Sequence, residues 1–191
     1  MTGHTKNYFK TLKQSLSNLN LEQIEKFKKT LIETMSSGQT IFICGNGGSA
    51  ATASHMTCDL GKTILGKKPR TKKNRARVIS LNDNIPFMTA WGNDEGYKHI
   101  FSEQLRNLGV RGDLLVVITG SGNSDNILQA IKTAKSMGIS VFGLLGFQGG
   151  IAREKISDYI LVESDNYGIV EDVHGIINHL VTDYFKTLRV G

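Results

Sequence analysis

Two short segments gather glycine, serine and amide side chains in a pattern suited to holding an anion. They are Cys44-Gly-Asn-Gly-Gly-Ser-Ala-Ala51 and Thr119-Gly-Ser-Gly-Asn-Ser124. Glycine lets the main chain approach a ligand closely, and the free N–H groups that open a following helix favour negative charge. Serine and threonine hydroxyls at the same places donate to phosphate oxygens. Neither segment is a Walker A loop, because no Gly-Lys-Ser/Thr follows, and neither spells Gly-x-Gly-x-x-Gly. One such turn alone is as easily an ordinary glycine turn with a serine cap. Two of them at corresponding places favour a phosphate cradle.

A second set of residues could hold a metal or move protons. His55 and Asp59 are four apart, and Glu171 and His179 are eight apart, so each pair shares one face of a helix. If the two helices meet, two imidazoles and two carboxylates converge, a donor set suited to Zn²⁺ or a similar divalent ion. Spacing alone leaves open that each pair is a surface ion pair. His174 is expected to point elsewhere and to be structural, and His4 and His99 have no evident partner. Trp91-Gly-Asn-Asp-Glu-Gly96 reads as a turn whose Asn93 and Asp94 could accept from sugar hydroxyls, or as an Asx-capped turn into a helix over 97–108.

These residues must be positioned by a regular frame. Apolar residues spaced by three and four over 5–36 predict two helices broken near 18–20, with Gly38 as a stop. Short apolar runs at 40–44, 77–81, 114–118, 140–145 and 158–162 read as strands buried on both faces. Helical patterns lie between them at 49–61, 84–92, 97–108, 125–137 and 150–155, and a long one closes the chain at 168–188. The alternation predicts an α/β fold with helices on both faces of a parallel sheet. Both glycine turns then fall at the carboxyl ends of strands, where open parallel sheets bind ligands.

Composition excludes several classes. The 191 residues suit one domain, and no apolar run is long enough to span a bilayer. The start, MTGHTKNYFK, has no apolar signal core, so the expected location is the cytoplasm and no membrane partner is expected. Two cysteines, Cys44 and Cys58, are too few for a disulfide framework. The net charge of +6 is local, since seven of the 23 basic residues fall in 67–77 with no acid among them. The rest of the chain is nearly neutral. The basic segment 66–77 is expected to be an exposed loop; binding of nucleic acid or an acidic partner through 67–77 is the less favoured reading.

Taken together, Gly45-Asn-Gly-Gly-Ser49, His55 with a carboxylate four later, Gly92-Asn-Asp94, Ser121-Gly-Asn-Ser124 and Glu171 with His179 resemble the sugar isomerase (SIS) domain proteins of the phosphoheptose isomerase type. The resemblance runs essentially end to end. It implies a three-layer α/β sandwich with a five-stranded parallel sheet. One SIS domain would fill 1–191, with N-terminal helices over 1–37 and a sugar-phosphate-binding core over 38–191. It further implies a homotetramer with active sites between subunits, and conversion of sedoheptulose 7-phosphate to D-glycero-D-manno-heptose 7-phosphate. By motif matching, Asn46, Gly47, Gly48 and Ser49 would line the sugar-phosphate site, and Thr119, Gly120, Ser121 and Ser124 would grip the phosphate. Asn93, Asp94, Asp59 and Glu171 would contact the substrate. His55, Asp59, Glu171 and His179 fall where the family places its metal ligands, with Asp59 and His179 as the acid–base pair. The implied cofactor is a divalent metal, zinc in the first instance, with no organic cofactor, since an aldose–ketose isomerisation changes no net electron count.

Three departures from the family pattern stand out. Residue 59 is Asp in place of Glu, a carboxylate shorter by one methylene, and displacements of about 1 Å can cost on the order of 100-fold in rate. Residue 171 is Glu in place of Gln, and the phosphate turn reads Thr-Gly-Ser in place of Ser-Thr-Ser. The alternative function is a non-catalytic SIS-domain protein that binds sugar phosphates or a replication initiator; the presence of His179 weighs toward chemistry.

Overall fold

The computed structural model describes residues 2–66 and 75–188. Helices α1 (Thr2–Ser17) and α2 (Leu21–Ser36) are separated where the sequence pattern breaks. The Asn20 side chain caps α2 by accepting from the Gln23 N–H at 3.2 Å, and Gly38, at φ 74°, turns the chain into the first strand. The remaining elements are β1 (Thr40–Gly45), α3 (Gly48–Gly61), β2 (Arg77–Ser80), α4 (Ile85–Asp94), α5 (Ser102–Leu108) and β3 (Leu114–Thr119). They are followed by α6 (Asp125–Ser136), β4 (Ser140–Gly146), α7 (Gly150–Lys155), β5 (Asp158–Val162) and α8 (Tyr167–Leu188).

The five strands form one parallel sheet in the order β2-β1-β3-β4-β5. Side chains alternate between its faces, so the apolar runs feed two cores at once. Ile41, Ile43, Val116 and Leu144 pack under α2, α3 and α8, with Phe27, Met56 and Val173 among the residues that meet them. Phe42, Cys44, Val117 and Leu145 pack under α5, α6 and α7, against Phe101, Ile131 and Ala152. The direction of winding reverses between β1 and β3, the place where doubly wound sheets leave a crevice for ligands. Both glycine turns open onto that crevice.

Two expectations are corrected. The strand at 77–81 was expected to be buried on both faces, but β2 is an edge strand with Arg77 and Ile79 exposed. Only its α3 side is covered, by Val78 packing into the first core. The helix expected over 97–108 is broken. Gly96, at φ 100°, starts a single 3₁₀ turn (Tyr97–His99), and α5 begins only at Ser102. Gln104, buried, holds the break in place by donating to the Leu81 and Ile100 carbonyls at 2.8 Å. His99 Nδ1 lies 4.0 Å from Glu103 Oε1, too far for a hydrogen bond, and is buried without a hydrogen-bond partner among the described residues.

His174 is fully buried on α8, with Nε2 3.3 Å from the Leu145 carbonyl oxygen. Loss of hydration pushes its pKa down to about 4, against a smaller upward pull from that carbonyl. The unfolded chain therefore takes up a proton that the folded chain refuses. Stability is fully present above pH 6.5 and falls as pH drops toward 4, by up to about 3 kcal/mol. Urea denaturation at pH 7 and pH 4.5 measures this, and the difference should shrink in His174→Gln.

Candidate functional site

The carboxyl end of β1 is fixed by a side chain from the neighbouring strand's loop. Asn82 accepts from the Gly45 N–H at 3.1 Å and donates to the Gly45 carbonyl at 2.8 Å. Gly47, at φ 57° and ψ −124°, then bends the chain into α3, and Ser49 is buried in its first turn. Asn46 faces the second turn. Its Nδ2 donates to Asn126 Oδ1 at 2.9 Å, and Asn126 Nδ2 donates back to Asn46 Oδ1 at 2.8 Å. This reciprocal amide pair latches the two turns together across the crevice.

The second turn is held by its own polar atoms. Thr119 Oγ1 accepts from the Gly122 N–H at 3.1 Å, and Ser121 Oγ accepts from the Asn123 N–H at 3.3 Å. Asn123 Oδ1 accepts from the Ile151 N–H at 2.9 Å, tying the turn to α7. Gly122 is at φ 67°, and an added Cβ there would overlap the Gly149 carbonyl. Ser124 sits at the N-cap of α6 but makes no capping bond, so its hydroxyl is not committed to its own helix. The Tyr167 ring lies over Gly120 and packs edge-on against Phe147 at 4.6 Å.

Helices α3 and α8 run side by side in the same direction. Near their starts the Glu171 carboxylate lies directly against Gly48, where an added Cβ would overlap it. Further along, His55, Asp59 and His179 meet, each offering a ligand atom within 4.8 Å of the others. The two imidazole rings lie 5.0 Å apart at 73°. Asp59 is buried and held by Asn178, which donates to its Oδ2 at 2.9 Å. The Thr182 hydroxyl lies 3.5 Å from the same oxygen, although its proton is better placed for the Asn178 carbonyl at 2.9 Å. His55 Nε2 is 3.5 Å from Asp59 Oδ2. Donors bound at about 2.1 Å around a tetrahedral ion stand about 3.4 Å apart, so this spacing suits a divalent metal with two imidazoles and a carboxylate. His55 and His179 are exposed, which leaves the remaining coordination position open outward.

Glu171 is not part of this group. It shares a face of α8 with His179, as the spacing predicts, but lies two turns earlier, beside the first glycine turn. The separation along α3 from Gly48 to Asp59 is about 16 Å at 1.5 Å per residue. The two groups of residues thus sit at different levels along the paired α3 and α8.

Asn93 and Asp94 differ more from expectation. They are not in a turn: both belong to the last turn of α4, with Gly92 helical, and Asn93 Nδ2 donates to Asp94 Oδ1 at 2.8 Å. Neither side chain caps the next helix. The basic segment's residues 67–74 lie outside the described residues; of the rest, Arg75 is exposed and Arg77 Nη1 is 3.5 Å from the Gly38 carbonyl. Sequence reasoning missed Asn82, Asn126, Asn178 and Tyr97, whose hydroxyl is 3.4 Å from Asn46 Oδ1. Each meets its partner only through the fold. The nearest available signal for Asn126 was its position two residues after Ser124.

Comparison with known proteins bears on the whole chain. Residues 7–146 match the model of the SIS domain family. A phosphoheptose isomerase of Aliarcobacter butzleri is 35% identical over 160 residues, covering 84% of this chain and 82% of that one. One from Campylobacter concisus is 38% identical over 161 residues, covering 84% and 82%. Among solved structures, the phosphoheptose isomerase of Francisella tularensis superposes with a TM-score of 0.84 at 30% identity, covering 97% of this chain and 98% of that chain. That of Neisseria gonorrhoeae gives 0.86 at 27% identity, covering 97% and 96%.

Proposed function

Since this chain belongs to the SIS domain family and, within it, to the phosphoheptose isomerases, we propose that it interconverts a ketose and an aldose phosphate, sedoheptulose 7-phosphate and D-glycero-D-manno-heptose 7-phosphate. The observation that carries the reading is the meeting of His55, Asp59 and His179 on two helices that start beside a double phosphate cradle. The same meeting weighs against a scaffold role, for which no proton-transfer pair is needed.

In this proposal the uncommitted Ser124 hydroxyl, the α6 N-terminus, Ser121 and Ser49 bind the phosphate, with Thr119 and Gly120 shaping the turn. That binding energy fixes the sugar chain for reaction at its far end. Asp59, oriented by Asn178, takes a proton from C1 while His179 donates one to the carbonyl oxygen at C2. The proton on Asp59 then goes to C2 while the hydroxyl on C1 returns its proton to His179. No proton or electron is gained or lost overall. His55, Asp59 and His179 would hold a divalent metal, in our reading zinc, which would supply positive charge beside the two oxygens of the enediol. Glu171, beside Gly48, contacts the sugar rather than joining the three.

A homotetramer with sites between subunits is part of the same proposal, because exposed Ile176 and Leu180 on α8 leave apolar surface beside His179, and a neighbouring chain could complete the site. Asn93 and Asp94 would then reach a substrate from the chain next door. Among the described residues no helix is long and apolar enough to cross a membrane, and the cytoplasm is the proposed location. The division into helices over 1–37 and a core over 38–191 is likewise proposed. The test is turnover of a panel of ketose and aldose phosphates, with metal analysis of the purified protein. Sedoheptulose 7-phosphate should be isomerised, and removal of metal by a chelator should lower the rate, with recovery on adding Zn²⁺. Turnover of no phosphorylated sugar by metal-loaded protein would overturn the reading.

A further inference from the structure

A second cavity, of about 690 Å³, lies along α6 between the Tyr97–His99 turn and the end of α7. That volume is ordinary for a small-molecule site. None of the residues assigned above to sugar, phosphate or metal lines it. Four lysines do: Lys98 from the turn, Lys132 and Lys135 from α6, and Lys155 from α7. They face two acids in the same cavity, Asp125 and Glu154. Among the described residues, none of the four ammonium groups forms an ion pair with a carboxylate. Lys135 instead donates to the Lys155 carbonyl at the end of α7.

Four ammonium groups against two carboxylates leave a net positive charge, and an excess of one sign collected in a concavity lowers the energy of an anion that enters it. The ammonium groups come from three separate elements, so they can surround a ligand broader than one phosphate. Leu128, one helical turn before Lys132, adds apolar surface beside them. We propose that this cavity binds an oligophosphate, two or three linked phosphate groups, either free or carried by a nucleotide.

The test is calorimetric titration of the full chain at low ionic strength with inorganic tripolyphosphate, and in parallel with ATP. Saturable binding is expected, weakened in the double variant Lys132→Ala/Lys155→Ala by a factor on the order of ten to a hundred. Two controls should bind as the unaltered protein does: Lys6→Ala/Lys10→Ala on α1 and Lys29→Ala on α2, exposed lysines that do not line the cavity. Tighter binding of ATP than of tripolyphosphate identifies a nucleotide as the source, and equal binding identifies the phosphates alone. The inference is overturned if tripolyphosphate does not bind, or if the Lys132/Lys155 variant binds it as tightly as the unaltered protein does. Thermal melting of each variant separates loss of binding from loss of fold, because these lysines are exposed.

Discussion

His179→Ala is expected to leave a folded protein with turnover reduced by a factor on the order of 10² to 10⁴, the usual worth of a positioned acid or base. His179 is exposed, so its removal opens no cavity in the core. Asp59→Ala should lower turnover at least as far but is the less clean experiment. It strands the Asn178 amide in a buried site, a loss of about 1–3 kcal/mol in stability. Asp59→Asn removes the charge while keeping the volume, and should be as inactive as Asp59→Ala. Steady-state rates on sedoheptulose 7-phosphate, with gel filtration and melting curves as controls, measure all three. Full activity in any of them would remove the assigned acid–base pair.

The second large effect is expected from Gly122→Ala. A side chain there meets the Gly149 main chain, which cannot swing away as a flexible side chain would, and the left-handed φ adds about 1–3 kcal/mol of strain. The turn, which we propose holds the phosphate, must open to relieve both. We expect a marked drop in melting temperature together with a rise in KM for the sugar phosphate. Gly47→Ala is the matched control. Its φ is also positive, but a Cβ there meets nothing within 4 Å, so it should lose the strain energy alone. Equal losses in the two variants would show that backbone conformation, not the collision with Gly149, sets the requirement for glycine at 122.

Much of the frame was legible because local patterns decide it. The apolar runs at 40–44 and 114–118 became the adjacent strands β1 and β3, and the glycine turns that follow them face one crevice. The break between α1 and α2 was visible in the Asn18–Asn20 stretch, since Asn is a natural cap. What failed depended on neighbours distant in sequence. Ile79 looks like a buried strand residue until the strand order puts it at an edge. Asn93 and Asp94 look like turn residues, yet the chain stays helical through them and turns at Gly96. At the site, the shared faces of His55 with Asp59 and of Glu171 with His179 followed from helical spacing. That Glu171 would meet Gly48, and that Asn178 would hold Asp59, followed only from the way α8 lies along α3. The Asn46–Asn126 latch joins residues 80 positions apart and has no local signature at all.

The strand order also bears on how the molecule is made. During synthesis β1 emerges early, yet one of its two partners, β3, is built some 70 residues later, and the Tyr8 hydroxyl waits for Asp172, its acceptor at 2.6 Å, 164 positions further on. Contacts at such separations form slowly, because much chain must be ordered before they can close. The N-terminal half therefore leaves the ribosome with an unpaired strand edge, and α1 docks on α8 only when translation is nearly complete.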